Sequence, residues 1–167
     1  MENLDDFYKE SKRLIQASES FSSKHQLVGR VRVDHLCYKC ESRDSFEKIR
    51  EMLENESEYV FQSIISGRRI AIVRLKGGVE TSLGTINFLE LSDQKPDGSQ
   101  REGFDHVEVY PVGWAYEELV RELQEVDVVK KIERPHHTTH DITLKDGFIF
   151  RLTEEPLIEK IKRSEMN

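Results

Sequence analysis

Cysteine is scarce: the 167 residues hold 2, too few for a scaffold built on disulfides. Both lie in Cys37-Tyr38-Lys39-Cys40, inside an alternating stretch. Residues three apart on a strand turn to opposite faces, so this pair neither clasps one ion nor bridges. Free thiols in a reducing compartment are expected. No apolar run approaches the roughly 18 residues of a membrane helix, and the start, MENLDDFYKES, is acidic where a signal peptide is basic and then apolar. A soluble, cytoplasmic protein with no membrane partner follows as the expectation. A basic excess is missing too: 25 Lys and Arg stand against 32 Asp and Glu, a net charge of −7. That balance argues against a nucleic-acid surface, which needs clustered cations to neutralise phosphates. Nor is there a G-x-S-x-G, a P-loop or a G-x-G-x-x-G. A small-molecule ligand is the expected partner, with the chain a monomer or homodimer.

What the sequence does have is periodicity over a single domain, 1–167. In residues 2–22, Leu4, Phe7, Leu14 and Phe21 recur at helical spacing, predicting an amphipathic N-terminal helix. From Gly29 the period becomes two, with Val31, Val33, His35 and Cys37 expected on one strand face and Arg32, Asp34, Leu36 and Tyr38 on the other. Ser42 is a candidate N-cap for a helix carrying Phe46, Ile49, Met52 and Leu53 and ending near Asn55. Three β-rich runs follow, punctuated by Gly67 and by Gly77-Gly78. The polar segment 93–103 has no apolar anchor and is expected to be a connecting loop. The pattern then begins again. Strand FDHVEVYPV leads to a helix over 114–125 with Trp114, Leu119, Val120 and Leu123, then to three more strand-like runs. A short helix over 156–165 closes the chain, with Pro156 suited to its first turn.

The repetition reaches individual residues. Val33-Asp34-His35-Leu36 opens the first unit, about 28–93, and Phe104-Asp105-His106-Val107 opens the second, about 103–155. Each Asp-His pair sits on the first strand of a βαβββ unit, so pseudo-twofold assembly would bring two imidazoles towards one centre. Such duplicated modules resemble the vicinal-oxygen-chelate superfamily, which includes glyoxalase I, extradiol dioxygenases, methylmalonyl-CoA epimerase and bleomycin-resistance proteins. Within it the chain resembles the YecM-like family, through Asp34-His35-Leu36 to Lys39-Cys40, Ser66-Gly67-Arg68, Glu90-Leu91 and Glu102-Gly103-Phe104-Asp105-His106-Val107-Glu108-Val109. The resemblance implies an α+β fold of two βαβββ modules, a curved sheet around a central cavity with the N-terminal helix outside.

It also implies a divalent metal (zinc, nickel, manganese or iron(II)) held by His35, Glu90 and His106, and an isomerase, lyase or dioxygenase acting on a small oxygen-rich substrate. The superfamily's fourth ligand should fall at 146–151, where this chain has Arg151. The alternative is a metal-free protein of the same fold that binds or sequesters a small molecule. Strand alternation turns Glu108 to the same face as His106, making it the candidate catalytic base or an extra ligand, with Tyr110 beside it. Arg68, after the Gly67 turn, and Arg151 are candidate partners for an anionic substrate. Of the run His136, His137 and His140, only His140 is expected to face inward and touch substrate; His25 is expected to be exposed.

Overall fold

A computed structural model describes residues 1–65, 67–134 and 137–165. Helix α1 (Leu4–Lys24) is followed by β1 (Val31–Lys39), α2 (Arg43–Glu54), β2 (Ser57–Ile65), β3 (Arg68–Thr81) and β4 (Gly84–Ser92). The same order then recurs as β5 (Gly103–Pro111), α3 (Tyr116–Gln124), β6 (Val129–Arg134), β7 (His137–Thr143) and β8 (Ile149–Leu152), before α4 (Leu157–Glu165). The strands form one eight-stranded sheet in the order β2-β3-β4-β1-β5-β8-β7-β6. Each unit closes on itself by pairing its first strand parallel to its last, β1 with β4 and β5 with β8. The two first strands run antiparallel side by side at the centre. The two βαβββ modules expected from the sequence are therefore related by a pseudo-twofold between β1 and β5.

Local chemistry sets the element ends. Asn3 caps α1 by accepting from the Asp6 amide at 2.9 Å, and Ser42 caps α2 by accepting from the Ser45 amide at 3.0 Å. Helix α3 starts at Tyr116 and not at Trp114; the indole is instead 42% exposed and lies under the Arg30 guanidinium. Gly77 and Gly78 do not end a strand. They lie inside β3, at the register shift between Arg74 and Val79. A Cβ on Gly78 would stand 2.6 Å from the Thr85 side chain, and its φ of +63° disfavours other residues.

The core lies on one face. Phe7, Phe21, Phe46, Leu53, Leu119 and Leu123 from α1, α2 and α3 pack against Leu36, Leu89, Val107 and Phe150 of the sheet. Ile72, Cys37, His35 and Thr139 are also buried but stand outside that cluster. They lie on the other face of the sheet, the concave one, beside which α4 begins with the Leu157 amide donating to Asp34 at 2.9 Å.

Simple alternation fails in β1, and the failure matters. Leu36 pairs with Val107 and Val33 with Val109, and those valines share the core face of β5. Two residues of β1 three apart thus share a face, because the register shifts between Val33 and His35 and leaves Asp34 as the extra residue. A second shift leaves Asp105 unpaired between Phe104 and His106. Val33 therefore belongs with the core, whereas His35 and Cys37 face the concave side.

The 93–102 connection does have an anchor, and it is polar. Gln100 is 5% exposed, and its Nε2 donates to the carbonyls of Cys40 (2.8 Å), Asp93 (2.8 Å) and Ser92 (3.3 Å). Apolar pattern gives no sign of such an anchor. Gln100→Ala should lower unfolding stability by about 2–4 kcal/mol, since buried carbonyls lose their donor, with an unchanged urea m-value. Urea titration checks this; a loss near zero would mean that water replaces the amide at no cost.

Candidate metal centre

Each bulge aims its histidine. Asp34 Oδ2 lies 2.8 Å from Nδ1 of His35, and Asp105 Oδ2 lies 2.8 Å from Nδ1 of His106. The carboxylates are themselves held. Asp34 accepts from the Leu157 amide at the start of α4 at 2.9 Å, and Asp105 meets Lys39 Nζ at 2.6 Å. A carboxylate on Nδ1 keeps a proton there and leaves Nε2 as the atom that, once deprotonated, can bind an ion.

The rings meet edge to face, with centroids 5.8 Å apart and planes at 72°. His35 Nε2 lies 3.9 Å from Glu90 and 4.0 Å from Glu108, and His106 Nε2 lies 4.0 Å from Glu108. His35 is 1% exposed, and its Nε2 has no hydrogen-bond partner. One donor atom each from His35, His106 and Glu108 lie within 4.8 Å of one another.

Cross-strand register shows how the units correspond. In the first, Cys37 pairs with Glu90; in the second, Glu108 pairs with Arg151. Cys37 and Glu108 are thus equivalent, as are Glu90 and Arg151. The second unit carries its acid on the first strand, where the first unit has a thiol.

The electrostatics are asymmetric. Burial opposes a charge on His35, but Glu108, Asp34 and Glu90 outweigh it and push its pKa up to about 9. Burial and the neighbouring Arg151 hold His106 below its ordinary value, against Asp105 and Glu90. Burial opposes ionisation of Glu90, but His35 and His106 hold its pKa below the usual range. Burial, then Glu90 and Asp105, push the Cys37 thiol well up, so it stays protonated and donates to Glu90 at 3.4 Å.

These residues fit a divalent ion. A buried imidazole nitrogen without a partner, a second imidazole oriented the same way and a carboxylate 4.0 Å from both form a facial N,N,O set. Bonds of about 2.0–2.2 Å would draw each donor in by only a few tenths of an ångström. Arg151 does not pair with Glu90. Its fork is taken by Asp141 in two bonds of 2.7 Å. Its Nη1 lies 3.1 Å and 3.0 Å from the two nitrogens of His106. A donor about equally far from both is in line with neither lone pair, so the guanidinium rests against the ring without capping Nε2.

Residues 2–147 match the family model described as YecM protein. The chain belongs to the YecM family. Among solved structures, a structural-genomics protein, EC4020, superposes with a TM-score of 0.74 at 21% identity, covering 97% of this chain and 92% of that one. That likeness is one of overall fold and spans nearly the whole of both chains. A Streptomyces coelicolor methylmalonyl-CoA epimerase variant in complex with 2-nitronate-propionyl-CoA gives a TM-score of 0.48 at 14% identity, over 74% of this chain and 96% of that one. A second, selenomethionine methylmalonyl-CoA epimerase gives 0.49 at 13%, over 76% and 97%. No curated protein sequence matches the chain.

The YecM chain brings His35, Glu90, His106 and Glu108 together, with Arg151 beside them. It does not bring Arg68, whose guanidinium donates to Gln100. Nor does it bring His140: paired with Leu152 in the opposite register to Asp141 and Arg151, it turns to the helix side and shares a 2.8 Å hydrogen bond with Tyr116. His25 is not exposed; its side chain is 8% accessible and stacks on Phe21. Ser66 and His136 lie outside the described residues. Sequence reasoning gave no role to Asp34, Asp105 or Asp141. The doubled Asp-His was a usable signal for the first two, whereas Asp141 follows only from strand register.

The opposed histidines predict a stability optimum in the metal-free protein. The raised pKa of His35 stabilises fully below its unfolded value near 6.5 and is lost as pH rises through about 9, by up to about 3 kcal/mol. The depressed pKa of His106 acts on the other side, costing stability as pH falls below about 6.5. Urea titrations from pH 5 to 10 should show a maximum between about 6 and 7, and His35→Asn should remove the alkaline fall. An unchanged alkaline limb in that variant would contradict the assignment.

Proposed function

We propose that the chain binds one divalent metal ion through His35, His106 and Glu108, and that it is a vicinal-oxygen-chelate protein acting on a small oxygen-rich molecule. The observation that carries this reading is the pair of Asp-oriented imidazoles converging on one carboxylate, with His35 Nε2 buried and unpartnered. The superfamily placement is supported by the duplicated βαβββ order with the two first strands adjacent.

Distances favour exchanging the two glutamates' roles relative to the sequence reading. Glu108 is 4.0 Å from both imidazoles and 9% accessible, which suits a ligand. Of the two imidazoles, Glu90 comes within 4 Å only of His35, at 3.9 Å, and its side chain is 23% accessible, which suits a group that moves a proton. A divalent ion there supplies a Lewis acid that stabilises negative charge on two adjacent substrate oxygens. Asp34 and Asp105 hold the imidazoles in their donor tautomers. Glu90, kept ionised by its neighbours, accepts a proton from a molecule seated over His35, and Cys37 orients it. A carboxylate so placed favours an isomerase or lyase over a dioxygenase. The second reading, a metal-free ligand-binding protein, is favoured by the Arg151 guanidinium lying against His106.

Elemental analysis after equilibration with zinc, nickel, manganese or iron(II) separates the two. Wild type should hold about one ion per chain and the His35→Ala/His106→Ala variant none. At 100 times Kd the ion should add about 2.7 kcal/mol of stability. Asp34→Asn should weaken metal binding by about 10–100-fold with the fold kept. Metal-free wild type after every incubation would favour the second reading.

A further inference from the structure

A cation on the concave face lacks an acid. Arg134, at the end of β6, is half-buried, and its guanidinium donates to Thr139 Oγ1 at 2.8 Å. Among the described residues no carboxylate lies within ion-pair distance of it. Register fixes its side: Arg134 pairs with His137, Ile132 with Thr139 and Lys130 with Asp141, and Asp141 pairs with Arg151, which pairs with Glu108. Alternation therefore puts Arg134 on the face of Arg151 and Glu108.

Two other candidate anion-binding arginines are already committed. Arg151 is spent on Asp141 and Arg68 on Gln100. Burial, then Arg151, hold the pKa of Arg134 below the arginine norm, while Asp141, Glu108 and Glu90 act in the opposite sense. Arg134 is thus within electrostatic reach of the metal-type site. A desolvated guanidinium with unused donors is complementary to a planar carboxylate or a phosphate.

We propose that Arg134 binds the anionic end of the molecule whose other end meets His35, His106 and Glu108. The substrate class is then a small acid with two adjacent oxygens at one end and a carboxylate or phosphate at the other. This rests on the metal reading above. Strand β6 stands three strands from β5, each step being about 4.8 Å, and the side chain reaches back one strand to Thr139, so the two binding points are on the order of 10 Å apart. Once bonds at both ends are subtracted, a chain of a few carbons fits between them.

The test uses the full chain loaded with zinc and matched probes differing only at the far end: 2-oxoglutarate against 2-oxopentanoate, and 3-phosphoglycerate against glycerate. Calorimetry should show wild type preferring the probe with the extra carboxylate or phosphate over its matched monoanion, in at least one pair, by about 10–100-fold, the span of a charge-assisted bidentate contact. The pair that shows it distinguishes carboxylate from phosphate. Arg134→Gln should abolish the preference while leaving monoanion affinity and zinc stoichiometry unchanged, and Arg134→Lys should keep part of it. No preference for the extra anionic group in wild type, or one retained in Arg134→Gln, overturns the proposal. Zinc content is read separately. If wild type holds none, the metal reading fails, and the same probe pairs on the metal-free protein still decide the role of Arg134.

Discussion

A one-residue slip in each central strand decides which side of the sheet the histidines reach. Were Asp34 part of a regular alternation and not a bulge, His35 would follow Val33 into the helix-side core, and His106 would likewise follow Phe104. An unpaired imidazole in that core would be costly. The residue inserted at each bulge is also the one whose carboxylate bonds the histidine's Nδ1. Backbone irregularity and side-chain orientation are therefore one device, used twice. The concave face inherits two donor nitrogens, and the opposite face keeps an uninterrupted row of Leu36, Val107 and Phe150 for the helices.

Duplication makes the frame symmetric, and substitution makes the chemistry asymmetric. The equivalent pairs Cys37/Glu108 and Glu90/Arg151 put one acid in each unit, but on different strands. The supports differ as well: Asp34 is held by the first turn of α4, where the helix dipole favours a carboxylate, and Asp105 by Lys39. The result is a polarised site. Glu90 and Glu108 surround His35, whereas Arg151 with its partner Asp141, and Arg134, which has no acid partner among the described residues, occupy the side of the second unit. A molecule lying across such a face meets acids at one end and a cation at the other.

Much of this was legible in the sequence. The element order, the Ser42 cap and the doubled Asp-His could be read because they depend on local periodicity and on a repeat. The convergence of His35, Glu90, His106 and Glu108 followed from setting the repeat on first strands. What could not be read depends on pairing between distant strands. Period two placed Val33 with His35, since a bulge leaves no mark in composition. It also put His140 inward, because alternation defines two faces without saying which is the core. Arg151 reads as a partner for an anionic substrate, yet its fork is taken by Asp141 on the adjacent strand, a pairing that only the β7–β8 register reveals. Gln100 was overlooked because a polar anchor breaks no hydrophobic pattern.

The central claim, that two Asp-oriented histidines and Glu108 hold one ion, is most directly tested by anomalous diffraction at the zinc edge from crystals of zinc-equilibrated protein. The account predicts one strong peak within bonding distance of Nε2 of His35, Nε2 of His106 and a carboxylate oxygen of Glu108, with Arg151 still paired to Asp141. A concave face without a peak, with the Arg151 guanidinium filling the space between the two imidazoles, would contradict it.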